Sequence, residues 1–327
     1  MRPEPRPELR ELQPAAHGGD APDGVVDFST GVSPLPPPPS LLAAIRAADV
    51  TRYPHPTALP LCEAVAASHG LPVAAVVAGA GSVELIWALA RAFGGPGRRV
   101  AFVAPAFGEY AQAARASGAE VMAADDLADP LVEHADLAFV ARPGNPTLAL
   151  PSPSALAACR ARLLVVDEAY QPLCDGVEPT APSENRAVLR SLTKLFALPG
   201  LRLGYLLASP MVAAAVRASL PPWNVSQPAI AAGLAALAEP TAPVRGAVGA
   251  LRGRLVERLA AIGVSPHAAG GSFVVVDVGD ARAFAATMLA RGVRVRDCSS
   301  FGLPSLVRLG VRGDADQERL LQAWPRP

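Results

Sequence analysis

The chain has a single lysine. Of its 29 basic side chains, 28 are arginines and one is Lys194. Other scarcities narrow the field. The formal net charge is zero and the isoelectric point is near 7.0, so there is no electrostatic case for nucleic acid or an anionic membrane. No uncharged apolar run reaches the roughly 18 residues that a spanning helix needs. The opening "MRPEPRPELRELQP" is charged and proline-rich, without the apolar centre of a secretory leader. Cys62, Cys159, Cys174 and Cys298 are scattered with no CxxC spacing, and the five histidines form no HxxxH pair. Metal chemistry therefore has little support. The cysteines read as small buried hydrophobes in a reducing cytoplasm.

What is present is apolar mass. At 327 residues, with 51% hydrophobic and 18% charged side chains, the chain can bury one large domain and a smaller one. The stretch "SPLPPPPS" at 33–40 is a rigid extended connector, because consecutive prolines form neither helix nor central strand. The reading is an N-terminal arm and connector over 1–40, a large domain over 41–210 and a small domain over 211–327. Within the large domain, strand-like runs ("RVAFVAP", "AEVMAA", "DLAFVARP", "RLLVVDEAY", "AVLRSLTK", "LGYLLASP") alternate with amphipathic ones ("SVELIWALARAF", "EYAQAARASG"). Runs of β-branched residues without polar alternation predict strands buried on both faces, hence an α/β fold with a mostly parallel central sheet. The remainder predicts a long helix through "VRGAVGALRGRLVERLAAIG", then strand, helix, a strand "VRVRD", a strand "SLVRLGV" and a closing helix. That is an α+β pattern.

In such sheets, ligands gather at the carboxyl ends of the strands. Four polar features fall there. "GAGSVEL" (79–85) lies between a strand and a helix, where glycines admit an anion and free N–H groups favour phosphate. A helix capped by Ser82 explains it equally well. "ARPGNPT" presents Asn145 in a turn, which ordinary turn chemistry also explains. "VVDEAY" ends an apolar strand in Asp167, a carboxylate that needs a partner or a turn to cap, with Tyr170 three residues on. "SLTKLFALPGLR" groups Ser191, Thr193, Lys194 and Arg202 in an apolar stretch. Arginine can match lysine in holding anions, but it stays protonated and is a poor nucleophile. A lysine amine condenses with carbonyls.

Taken together, the four describe a cofactor with a phosphate, an aldehyde and a ring nitrogen that gains from a carboxylate: pyridoxal 5'-phosphate. A carboxylate there keeps the ring nitrogen protonated, so that the ring draws electrons from a bond at the substrate's α-carbon. The lysine amine holds the aldehyde and later moves protons.

The order Gly-x-Gly-Ser, Asn-Pro-Thr, Asp-Glu-Ala-Tyr and Ser-Leu-Thr-Lys-x7-Arg resembles the fold-type I pyridoxal-phosphate-dependent aminotransferase superfamily, class I/II, over nearly the whole chain. The resemblance implies that Lys194 carries the cofactor and that Asp167 partners its ring nitrogen. It also implies that Asn145 and Tyr170 bond its ring hydroxyl and that Phe107 of "PAFGEY" stacks on it. Gly81, Ser82 and Val83 through their N–H groups, with Ser191, Thr193 and Arg202, would hold its phosphate. Tyr53 of "RYPHP" resembles a tyrosine that reaches the neighbouring subunit's phosphate, implying a homodimer with shared sites. "HGGD", "VDFSTGVSPL", "RYPHP", "PAFGEY" and "PPWNVSQPA" are similar to the threonine-phosphate decarboxylase branch of cobalamin biosynthesis, beside histidinol-phosphate aminotransferase.

That likeness implies decarboxylation of L-threonine O-3-phosphate to (R)-1-aminopropan-2-yl phosphate. The alternative is transamination of histidinol phosphate or a related amino acid. Arg308 and Arg296 match two arginines that hold substrate anions, and His17 is a further candidate for a substrate phosphate. Solvated strand arginines and an arm histidine without a ligand are the plain alternatives. Two departures stand out: Leu148 where the family usually has glycine, and Gly31 and Ser33 where it commonly has asparagine. A regulator on this fold would carry an N-terminal DNA-binding domain, for which the arm is too short and too rich in proline.

Overall fold

The computed structural model describes residues 4–10 and 12–325. Its strands are β1 (Val26–Asp27), β2 (Val76–Gly79), β3 (Arg99–Val103), β4 (Glu120–Ala124), β5 (Leu137–Ala141), β6 (Leu164–Asp167), β7 (Arg186–Ser191), β8 (Gly204–Leu207), β9 (Pro266–Gly270), β10 (Phe273–Asp277), β11 (Val293–Arg294), β12 (Arg296–Asp297) and β13 (Leu306–Gly310). Seven of them form the central sheet in the order β2-β8-β7-β6-β5-β3-β4. Only β8 runs against its neighbours, and the other pairings are parallel. β5 through β8 are almost wholly buried because helices cover both faces, which is why their sequences lack polar alternation. Helix Gly81–Phe93 turns Leu85, Ile86 and Leu89 into the core on one face. Helix Leu59–His69 packs Leu61 and Val65 on the other.

A four-stranded antiparallel sheet, β12-β13-β10-β9, forms the core of the C-terminal part. The long helix Thr241–Ala261 buries Leu255 and Leu259 against it. The expected strand "VRVRD" is two short strands. β11 pairs in parallel with β1, while β12 joins the four-stranded sheet. The segment 1–40 is likewise more than an arm and connector. Val26 and Phe28 are buried in the C-terminal core, and Pro39 already opens a helix, Pro39–Ala47. Two-residue strands have too little periodicity to be legible in a sequence. No helix among the described residues is long and apolar enough to cross a membrane.

Candidate active site

The ends of β6 and β7, the start of helix Gly81–Phe93 and the turn after β5 meet at one cavity. Gly81, Ser82, Val83, Phe107, Asn145, Asp167, Tyr170, Ser191, Thr193, Lys194 and Arg202 all line it. Residues spread over more than a hundred positions converge because parallel strands end on the same edge of the sheet.

Asp167 closes β6 and is buried. Its Oδ1 accepts the Ala169 N–H at 2.9 Å and its Oδ2 accepts the Tyr110 hydroxyl at 2.9 Å. Burial raises its carboxyl above the ordinary value, while those two bonds and the Lys194 charge pull it down. Burial, with the Asp167 charge next, pushes the Tyr110 phenol well above 10. Tyr110 itself stacks on Phe139, with centroids 4.9 Å apart, so the donor cannot swing away. Beneath lies a buried ionic triad. Glu168 contacts Arg142 Nη1 at 3.3 Å and Arg190 Nη2 at 2.8 Å, and it accepts the Thr180 N–H at 2.9 Å.

Helix Gly81–Phe93 starts without a side-chain cap. Ser82 is inside its first turn rather than at the cap, which is Ala80. The Glu84 carboxylate instead reaches back to the Ala80 N–H at 2.7 Å and is held by Asn224 Nδ2 at 2.7 Å. First-turn N–H groups have no intrahelical partner, and Gly81, Ser82 and Val83 of that turn line the cavity, an arrangement that suits an anion. Gly81 has φ +83°, and a Cβ there would stand 2.6 Å from Arg202 Nη2. Only glycine lets the guanidinium lie over this turn. The Ser191 and Thr193 hydroxyls are 3.2 Å apart on the same side. This cradle fits a phosphate, and the buried carboxylate of Asp167 fits a cationic ring nitrogen.

Lys194 is half-buried, with Nζ 5.7 Å from the Tyr170 ring centroid. Its carbonyl accepts the Ser33 N–H at 2.9 Å, so the proline-rich connector is tied to the residue that bears the amine. Gly31 is needed where it stands: a Cβ would lie 2.7 Å from Tyr170 Cε1. Leu148 has φ +60° and packs against the cluster of Phe273, Val275, Cys298 and Leu306.

A larger cavity of about 1010 Å³ adjoins, sharing Lys194, Asn145, Tyr170 and Arg202. Arg308 and Arg296, both buried, reach it from neighbouring strands of the small sheet. Arg308 donates through Nη1 to Asn145 Oδ1 and through Nη2 to the Ser29 carbonyl at 2.7 Å, with Nε buried and without a partner among the described residues. Arg296 donates through Nη2 to the Ala16 carbonyl and to Ser300 Oγ, both at 2.8 Å. Burial first, then the Arg308 charge, push its guanidinium below the ordinary value. His17 also lines this cavity, its ring 5.6 Å from that of Phe107. Tyr53 does not line either cavity. It is 83% exposed, with its ring 5.0 Å from Trp223.

Sequence reasoning missed Tyr110, Glu109 and Ser29. For Glu109 a signal was present in part. In "GEYAQAARAS" the polar Glu109 and Gln112 fall at i and i+3 on a face that also has to be buried.

The sequence profile of the family described as aminotransferase class I and II matches residues 23–323. A histidinol-phosphate aminotransferase from Rhodospirillum centenum is 32% identical over 98% of this chain and 97% of its own length. The solved histidinol-phosphate aminotransferase from Sinorhizobium meliloti, in complex with pyridoxal-5'-phosphate, superposes with a TM-score of 0.82 at 26% identity, covering 92% of this chain and 90% of that one. The solved L-threonine-O-3-phosphate decarboxylase from Porphyromonas gingivalis gives 0.81 at 25%, covering 91% and 98%. With its motifs gathered at one sheet edge and the profile spanning nearly its whole length, this chain belongs to the class I and II aminotransferase family.

Proposed function

We propose that this chain is a pyridoxal-phosphate enzyme acting on the phosphate ester of a small primary amine. The observation that carries this reading is the charge of the larger cavity. Besides Lys194 and Arg202, which the cofactor would engage, Arg115, Arg296 and Arg308 line it with His17, and among the described residues no Asp or Glu does, in a protein of zero net charge. Such a surface suits a ligand with more than one anionic group.

In this reading, Lys194 carries the cofactor and transfers protons at Nζ. Asp167, held by Tyr110, faces the ring nitrogen. Asn145 and Tyr170 bond the ring hydroxyl, and Phe107 covers a face. The Gly81–Val83 turn with Ser191, Thr193 and Arg202 holds the phosphate. Exposed Tyr53 is left for a second copy's site, in a homodimer.

The relatives support transamination of histidinol phosphate as the first reading. The cavity then takes the amine's phosphate and an oxo-acid acceptor in turn. One observation favours decarboxylation of L-threonine O-3-phosphate as the second reading. Two separate buried guanidiniums, Arg308 beside Asn145 and Arg296 beside the arm, can hold a carboxylate and a phosphate of one substrate at once. In either reading, these guanidiniums would hold the substrate's anionic groups and so orient its α-carbon for the chemistry the cofactor would supply. Both phosphorylated amines should be supplied to the holoenzyme side by side. Acceptor-dependent turnover supports the first reading, and carbon dioxide release without acceptor supports the second. Turnover of neither would refute the proposal.

A further inference from the structure

The N-terminal arm lies along helix Glu109–Ser117 on one of its faces. Arg6 Nη2 donates to the Ala116 carbonyl at 2.7 Å, Gln112 Nε2 donates to the Gln13 carbonyl, and His17 Nε2 meets Glu109 Oε1 at 2.8 Å. Positions 109, 112 and 116 are spaced i, i+3 and i+7, so they share a face. Glu109 is the unusual member. It is a carboxylate only 7% exposed, at the first position of the helix. Its other oxygen, Oε2, accepts the Trp87 indole N–H at 2.7 Å. An ionised carboxylate has only acceptors to offer, so the His17 contact is a donation from Nε2–H. That fixes which ring nitrogen meets the helix. The preceding residue, Ala16, accepts through its carbonyl from Arg296 Nη2.

We propose that Glu109 is a positioning residue. Anchored by Trp87, it seats His17 and the arm beside Arg296, so that the arm completes the wall of the anion-binding cavity. Gly18 and Gly19 fit this course. A Cβ on Gly18 would come within 2.6 Å of the Ser29 carbonyl oxygen, and the Gly19 N–H donates to Ser29 Oγ at 2.9 Å. In Glu109→Gln the oxygen can still accept from Trp87, but the group facing His17 loses its carboxylate charge, so the contact weakens to at most a neutral amide–imidazole bond.

The proposal builds on the reading of the substrate as a phosphorylated amine, and two readouts separate the two ideas. The first is amide hydrogen exchange over residues 12–18 in the holoenzyme, which needs no substrate. Glu109→Gln and His17→Ala should each speed exchange there by about tenfold or more, with bound-cofactor absorbance unchanged. Trp87→Phe, which leaves the carboxylate to His17, should give a smaller effect. The second is a double-mutant cycle on KM for whichever phosphorylated amine turns over. Each single variant should raise KM about tenfold with little change in kcat, and Glu109→Gln should add less than about twofold in the His17→Ala background. Unchanged exchange, or additive KM effects, would overturn the role of Glu109. Faster exchange with neither amine accepted would overturn the substrate reading and leave the positioning role in place.

Discussion

The Tyr110 hydroxyl donates to Oδ2 of Asp167 at 2.9 Å, and both groups are buried at the end of β6. A carboxylate enclosed in this way is desolvated, and its remaining partner is the Ala169 N–H. The site therefore keeps a negative charge where one is costly unless a cation faces it. That relationship leaves a buried charge for a cation to offset, the role proposed above for the cofactor's ring nitrogen.

Stability of the cofactor-free protein should reflect it. Burial, the largest cause, raises the Asp167 carboxyl above its ordinary 3.8. Between that ordinary value and the raised one, the folded state binds more protons than the unfolded chain. The stability from Asp167 is thus present at low pH and lost as pH rises through the window. The melting temperature of wild type relative to Asp167→Asn should fall as pH rises from about 4. Parallel curves would contradict this. Tyr110→Phe removes a bond that lowers the carboxyl, so its window should lie higher still.

Lys194→Ala should abolish covalent attachment. Hydride reduction of the protein with added pyridoxal 5'-phosphate should leave no mass adduct on the peptide holding position 194, and turnover should drop by about 10²–10⁴-fold or more. An adduct elsewhere is not available to another lysine, because the chain has none.

Gly81→Ala tests the phosphate cradle. The new methyl would meet the flexible end of Arg202, so the fold should survive with about 1–2 kcal/mol of left-handed backbone strain. Cofactor affinity, followed by absorbance titration, should weaken by about tenfold or more, as roughly 1.4 kcal/mol of phosphate binding is lost. Unaltered affinity would remove Arg202 and this turn from the cradle.

Leu148 occupies a left-handed position at φ +60° and offsets the strain by packing on the Phe273 cluster. Leu148→Ala keeps the strain and loses the packing. Leu148→Gly loses the packing and relieves about 1 kcal/mol of strain. Urea unfolding should therefore rank wild type above the glycine variant, and glycine at or above alanine. Alanine above glycine would show that the backbone there is unstrained.

Glu168 is the shared counter-charge of two buried guanidiniums. Glu168→Gln leaves both buried guanidiniums without their counter-charge, and unfolding should ease by about 3–5 kcal/mol. A loss under about 1 kcal/mol in a denaturant titration would mean that water reaches the triad.

The local chemistry was legible in the sequence because it is written in types of residue. One lysine among arginines, a strand ending in Asp167 and a Gly-x-Gly-Ser turn each demand a particular physical setting wherever they occur. The sheet was legible too, since strands buried on both faces must be continuously apolar. Three-dimensional packing alone decided the rest. Tyr110 reaches Asp167 across 57 positions, Arg308 reaches Asn145 across 163, and Arg296 meets the arm across 280. Contacts at such separations leave no periodicity in the chain. They arise only when two sheets and an N-terminal strand of two residues close on each other, and they set the geometry of the larger cavity.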